Sequence, residues 1–390
     1  MEEALEVLET EDSYDGYFYG IKDAVVIVIL GSLCELQNVK KIHTWATNAQ
    51  VRTFLSEHFN ITRIPCYWWL LSLLALIKSE SLNECMKQWV ASEAASLLSK
   101  IEVQEDEQRK RKSLTIAIDG KEIRSTRNMK KYNSALHIVS AQIGELGLTM
   151  AQETVESKSN EIPAVQKLIK ELEIAGCMVV ADALNCQIET AQAIIDSKAD
   201  YLLSVKGNQQ ELKDDIEQYV QDETLRARMD SVTTIERAHG RVETRSAYTS
   251  NDVCWQPGAR KWPELRCIGA IHTRFKTNKG ITEQWHYYIS SRALSAQELL
   301  HHARLEWSVE SMHWLLDVHF DEDRCRVQSK NLQQNFNMLH KFALNIVRIH
   351  KQQTQSKLAL NGIMLRALMN PYDLLHLLGK LDFRDFVAIS

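Results

Sequence analysis

The sequence predicts an α/β protein led by an all-helical amino-terminal domain. Three observations carry that expectation. Apolar residues recur at helical spacing, with few breakers, through the first 100 residues. Short β-rich runs then alternate with helical segments over 113–230, and a strand-like stretch over 231–290 precedes a return to helices.

Within residues 1–100 the helical runs are 22–36, 38–58 and 64–99. The apolar runs 24–30 and 68–77 fall short of the roughly 20 residues that span a bilayer, so they read as buried helices and no membrane partner is expected. The segment IEVQEDEQRKRK (101–112) changes sign midway and marks a charged join between domains. LTIAID (114–119), ALHIVSAQI (135–143) and LTMAQETV (148–155) follow as strands, with a hairpin turn around Gly144 and Gly147. Next come a helix over 161–174, the strand CMVVAD (177–182), a helix over 186–198, the strand DYLLSV (200–205) and a helix over 209–222. The order β-β-β-α-β-α-β-α is that of an RNase H-like core, whose first part is 113–230. Residues 231–290, with turns at 239–240 and 277–280, read as a β-rich insertion. Helices at 295–304, 306–318 and 331–350 complete the core within 291–350, and the tail 351–390 reads as helical, Pro371 opening a short segment.

The chain has 390 residues, 45% hydrophobic and 25% charged, which suits two or three soluble domains. Its net charge of −5 offers no general basic excess, so a nucleic-acid binder of this composition needs a local basic groove. Eight cysteines lie singly without a C-x-x-C pair; this argues against a zinc ribbon or a disulfide framework and fits a reducing cytoplasm. The acidic start, Met1 to Asp12, lacks the pattern of a secretory signal. No G-x-G-x-x-G follows the first strand, which argues against a dinucleotide-binding oxidoreductase.

Asp119 ends the first strand and Asp182 the fourth, and ligands of open α/β sheets collect at the carboxyl ends of strands. Either acid alone could cap a turn; two in one sheet favour a site. RLEWSVESMHWLLDVHFDED (304–323) supplies a third. There Trp307, Glu310, Met312, Trp314 and Leu315 are expected to form a mostly apolar wall, with Glu310 on or beside the core side. A carboxylate so placed is costly unless paired with an arginine or bound to a metal. Asp321, Glu322 and Asp323 read as a solvated helix end. Three carboxylates suit two Mg²⁺ ions about 3.5–4 Å apart, the arrangement that clamps both oxygens of an in-line phosphoryl displacement. Basic residues cluster nearby: Arg109 to Lys112, Lys121, Arg124, Arg127, Lys130 and Lys131 flank Asp119, and Lys206 with Asn208 and Gln209 follows the strand 200–205. Arg241 and Arg245 share one strand face, as a phosphate clamp or as partners of nearby glutamates. Trp255 and Trp262 lie in an irregular stretch and suit core packing better than stacking on a flipped base.

Seven phrases in order carry a resemblance: AIDGKEIRSTR (117–127), SNEIPAVQKLI (159–169), VVADALNCQ (179–187), ADYLLSVKGNQ (199–209), HGRVETR (239–245), YYISS (287–291) and WSVESMHWLLDVHFDED (307–323). Together they resemble the DDE transposases of the insertion-sequence group that includes the H-repeat-associated proteins of enterobacteria, over roughly residues 20–350. The resemblance implies catalytic and metal-binding roles for Asp119, Asp182 and Glu310, and metal-dependent DNA strand cleavage and transfer at insertion-sequence ends. It also implies two Mg²⁺ ions (Mn²⁺ substituting), transposon-end and target DNA as partners, a homodimer assembled on DNA, and a cytoplasmic, nucleoid-associated protein. Lys121, Arg124, Arg127, Lys130, Lys206, Asn208, Arg241, Arg245 and Arg304 are the expected DNA contacts, with end recognition assigned to the helical domain. The chain departs from that pattern at Glu306, where the group commonly has His, and at Ser311, where it commonly has Asn. The Y-x-x-R-x-x-x-E-(x₆)-K signature of neighbouring groups is not met, its Tyr, Arg and Lys slots being Ala303, Glu306 and Asp317. The rivals are a silent DNA-binding relative and a junction nuclease.

Overall fold

The computed structural model describes residue 8 and residues 18–379, except 101–113, 127–134, 156–160, 239–240, 257, 259–260, 279, 326 and 328. The charged join, the turn at 239–240, and Arg127, Lys130 and Lys131 therefore lie outside the described residues.

The amino-terminal helices are α1 (Ile21–Leu33), α2 (Val39–Ala46), α3 (Ala49–Phe59), α4 (Tyr67–Leu76) and α5 (Ser79–Lys100). Two expected single helices are each divided. Asn48 restarts the chain by accepting a hydrogen bond from the Gln50 amide, and Ile77 turns extended at ψ 128°. Apolar periodicity runs through both breaks, which is why spacing alone merged them. In α1 every residue from Ala24 to Leu33 is buried, as expected of a helix apolar on all sides.

The strands β1 (Thr115–Ile123), β2 (Leu136–Ile143) and β3 (Leu148–Val155) form an antiparallel set. After α6 (Glu161–Glu171), β4 (Met178–Ala181) pairs parallel with β1; after α7 (Ile188–Asp196), β5 (Asp200–Val205) pairs parallel with β4. Next come α8 (Gln210–Gln221), the single turn α9 (Glu223–Arg226), and β6 (Asp230–Ala238), β7 (Arg241–Ser250), β8 (Cys267–Thr277) and β9 (Gly280–Ser290). The β-rich stretch after 230 does not stand apart as a sheet of its own. β9 pairs antiparallel with β5, giving one nine-stranded sheet in the order β3-β2-β1-β4-β5-β9-β8-β7-β6. This covers the β5 edge, whose backbone donors and acceptors would otherwise lie open.

The last elements are α10 (Ala296–Phe320), α11 (Lys330–Thr354), α12 (Leu360–Met369) and α13 (Pro371–Leu377). α10 runs unbroken where two helices were expected. A Ser295–Glu298 capping box starts it, and Leu305, the expected break, packs its side chain on Gly144. α11 packs against α1, α4, α5 and β3. Its Asn335 donates to the carbonyls of Leu74 and Ile77, and Asn331 to those of Ala75 and Ile77, so the open carboxyl end of α4 finds its donors in α11.

Alternation along β1 sends Thr115, Ala117 and Asp119 to one face and Ile116, Ile118 and Gly120 to the other. Thr115 meets His302 and Asp119 meets His313, both on α10; Gly120 meets Glu161 on α6. β1 is thus sandwiched between α10 and α6.

His340 of α11 is 2% exposed, stacks on Phe320 at 4.3 Å, and leaves Nε2 without a hydrogen-bond partner among the described residues. Burial pushes its pKa down to about 3. A folded-state value below the unfolded one means that the unfolded chain takes up the proton first. Stability contributed this way is intact above about pH 6.5 and is lost as pH falls from there toward 3. Between pH 7 and pH 5 the loss should be about 2 kcal/mol. Urea unfolding at both pH values should show His340→Leu losing that much less stability than the wild type; parallel losses would refute a neutral His340.

Candidate active site

The parallel pairing of Ile118 with Ala181 brings the next residues together: Asp182 lies just past the end of β4, whereas Asp119, expected to end its strand, lies within β1, which leaves the parallel ladder there but runs on to Ile123 along β2. Asp182 also caps the turn that follows β4, accepting from the Asn185 amide at 3.2 Å and from Asn185 Nδ2 at 3.0 Å. That turn is braced from beyond β5, where Asn208 donates to the Ala183 carbonyl at 2.6 Å and Gln209 to that of Cys186 at 3.0 Å. The carboxyl ends of the parallel strands β4 and β5 thus meet beside Asp119 of β1, and carboxyl ends of strands are where α/β sheets collect ligands.

α10 packs across β1 and β4 and carries Glu310. Burial first, then the charge of Asp182, with smaller contributions from Glu161 and Glu310, pushes the Asp119 pKa up to about 7. Glu306, one turn before Glu310, is pushed up to about 8 by burial and then by Asp182, against an opposing pull from Lys206. Among the described residues no lysine or arginine is ion-paired with Asp119, Asp182, Glu306 or Glu310. His313, one turn after Glu310, places Nδ1 3.6 Å from Asp119 Oδ2. Burial, reinforced by Lys341 and Lys121, holds the His313 pKa well below its ordinary value, so it faces Asp119 as a neutral ring.

The expected apolar wall of α10 is corrected. Trp307 and Trp314 are 58% and 61% exposed, and Glu310 is exposed on the same helical face. The buried stripe is His302, Ala303, Val309, Met312, His313, Leu316, His319 and Phe320. Aromatic size suggested burial, whereas the helical phase set by Val309, Met312 and Leu316 turns both tryptophans outward. Glu310 is consequently an open carboxylate at the rim and not a core one.

The side chains of Asp119, Asp182 and Glu310 do not close to 4.8 Å among their ligand atoms; among the described residues the trio that does is Glu145, His301 and His302. That trio lies at the start of β1, away from Asp119. Glu145 accepts from the Thr115 amide and hydroxyl, and His302 Nδ1 lies 2.7 Å from the same hydroxyl, a network that ties the β2–β3 turn to α10.

Lys121, expected to face DNA, is instead a buried cation. It is paired with Asp317 at 2.7 Å and Glu322 at 2.9 Å. Glu322 is itself 2% exposed and accepts from Asn337, so the expected solvated helix end is in part an internal ion-pair network. Arg124 is exposed, 3.5 Å from Asp323, and Lys206 is exposed. Asn208 is engaged with the backbone around Ala183. Arg241, Arg245 and Arg304 line a groove of about 380 Å³ with Phe275, His286 and Trp307, paired there with Glu236 and Glu243. Trp262 is buried and Trp255 stacks on Tyr219 at 4.5 Å, as core packing predicts.

Residues 110–346, from before β1 to well into α11, match the family model described as Transposase DDE domain. The chain belongs to the Transposase DDE domain family. It is 36% identical to "Putative transposase YncI" of Escherichia coli O157:H7 over 268 residues, 65% of this chain and 68% of that one. It is 33% identical to "H repeat-associated putative transposase YhhI" of Escherichia coli strain K12 over 245 residues, 60% of this chain and 63% of that one. A piggyBac transposase synaptic complex with hairpin DNA, solved by cryo-EM, superposes with a TM-score of 0.41 at 9% identity, covering 97% of this chain and 77% of that chain; at that level of likeness the two folds are not equated. The part of the chain that matches the Transposase DDE domain contains all three expected acids, together with Glu161, Asn185 and His313, which sequence reading did not single out. Helical phase could have found two of them. Glu161 falls on the stripe of Ala164, Val165 and Leu168, and His313 on that of Val309 and Leu316.

Because Glu322 is sealed in the interior, removing its cation leaves an uncompensated buried charge. Lys121→Met should lower unfolding free energy by about 3–5 kcal/mol. Urea denaturation checks this, and a loss below about 1 kcal/mol, the scale of an exposed pair, would return Lys121 to the surface-contact set.

Proposed function

We propose that this chain is a transposase of the DDE type that cleaves and joins DNA strands at the ends of an insertion sequence, through divalent cations held by Asp119, Asp182 and Glu310. The observation that supports the reading is the pairing of Ile118 with Ala181, which brings Asp119 and Asp182 to neighbouring positions where the charge of Glu310 on α10 is also felt, with no lysine or arginine ion-paired to them among the described residues. The strand order β3-β2-β1-β4-β5, with β2 alone antiparallel to both neighbours, supports an RNase H-like core for this machinery.

The donor set fits magnesium. It consists of carboxylate oxygens, hard ligands for a hard cation; burial and, after it, repulsion from Asp182 raise the Asp119 pKa, and a cation relieves the repulsion. Such ions supply Lewis-acid stabilisation of the attacking and leaving oxygens of an in-line displacement at phosphorus. The chain's own groups do the positioning. Asn185 fixes Asp182, neutral His313 stands against Asp119 without competing as a cation, and exposed Glu310 is free to swing toward the strand ends. Arg304 can exchange its exposed partner Glu236 for a phosphate, since exposed ion pairs are worth only about 0–1 kcal/mol, whereas Arg241 and Arg245 are drawn to the buried Glu243. Arg124 and Lys206 supply further exposed positive charge. The family's own business with DNA makes transposon ends the substrate, and a dimer assembled on two ends the working form.

Asp119→Asn, Asp182→Asn and Glu310→Gln should each lower Mg²⁺-dependent cleavage of terminal-repeat duplexes by roughly 10²–10³-fold while DNA binding persists. Gel-based cleavage alongside an anisotropy binding curve measures both. Near-native cleavage by any one variant would remove that residue from the site, and absence of cleavage by the wild type would favour a silent DNA-binding relative.

A further inference from the structure

Glu161, the first residue of α6, is 2% exposed and shares its stripe with Ala164, Val165, Leu168 and Ile169. A buried carboxylate carries a desolvation penalty of several kcal/mol, so it is kept only where the fold holds it in place. Its placement is specific. A β-carbon added at Gly120 would come within 2.7 Å of the Glu161 carboxyl group, so the residue after Asp119 must lack a side chain for Glu161 to lie there. Asn185 Nδ2 then divides its donors, reaching Asp182 Oδ1 at 3.0 Å and Glu161 Oε1 at 3.3 Å. An amide nitrogen has two hydrogens, and both are spent on these carboxylates. The reversed amide would set its oxygen against two anions, so the network itself dictates the orientation. Asn185 is fully buried, and its Oδ1 has no partner among the described residues.

We propose that Glu161 is a positioning residue of the candidate site: through Asn185 it locks Asp182 in the orientation that receives a divalent cation, and its charge adds to the cation's attraction. α6 thus closes the site from the sheet face opposite α10, making four carboxylates from four segments. The proposal rests on the reading of Asp119, Asp182 and Glu310 as cation ligands.

The test is Mn²⁺ binding to the full chain without DNA, followed by calorimetry and electron paramagnetic resonance, for the wild type, Asp119→Asn, Glu161→Gln and Asn185→Ala. Losing a group that orients a metal ligand typically weakens affinity by about 10–100-fold. Glu161→Gln and Asn185→Ala should each show a loss of that size, and the Mg²⁺ midpoint for cleavage should rise in parallel. If Glu161→Gln does not fold, as judged by circular dichroism, Asn185→Ala carries the test, because it keeps Glu161 and cuts only the link. Weak binding by Asp119→Asn with wild-type affinity in both other variants would leave the site standing and overturn the role of Glu161. Wild-type affinity in Asp119→Asn would overturn the site and this proposal together.

Discussion

Everything at the candidate site depends on one stretch of backbone, the parallel ladder between β1 and β4. Its four residue pairs end at Ile118 and Ala181, and one step further each chain carries an aspartate. A shift of the register by one residue would turn one of the two acids to the other face. Helices on both sides guard that register. α10 holds the Asp119 face through His302 and His313, and α6 holds the Gly120 face through Glu161.

The ladder creates an electrostatic problem that the surrounding groups do not solve. Negative charge gathers around Asp119 and Asp182, where Lys206 pulls on Glu306 but no described lysine or arginine is ion-paired with the acids, and two further lysines nearby are committed elsewhere. Lys121 is held by Asp317 and Glu322. Lys341, its pKa pushed down to about 7 by burial, donates to Ser140 and Gln152; Ser140 is the residue paired with Asp119 across β1 and β2. These lysines balance the interior behind the site. A folded protein that tolerates such an arrangement invites a cation, and oxygen donors select a hard one.

Much of this was legible in the chain. Asp119 and Asp182 could be singled out because each closes an apolar β-run, although β1 continues past Asp119 through the polar stretch to Ile123, and the order of strands along the chain followed from runs and turns. Membership of the family was readable from phrases around the same acids. The rest was hidden for physical reasons. The outward turn of Trp307 and Trp314 depends on which stripe of α10 meets the sheet, and size gives no phase. Lys121 looked like a surface base because its partners, Asp317 and Glu322, are almost 200 residues away and meet it only in the folded chain. Glu161 looked like a helix-starting acid, and its buried phase was visible but outweighed by its charge. The joining of 231–290 to the main sheet rests on β9 meeting β5, a pairing across some 85 residues that no local pattern encodes.

The central claim is that Asp119, Asp182 and Glu310 together hold divalent cations. The most direct measurement is a crystal structure of the full chain soaked with Mn²⁺, with the ion located by anomalous scattering. Density is expected between the Asp119 and Asp182 carboxylates, with Glu310 turned toward it from α10. Density confined to Glu145, His301 and His302, or none between the two aspartates at saturating Mn²⁺, would contradict it.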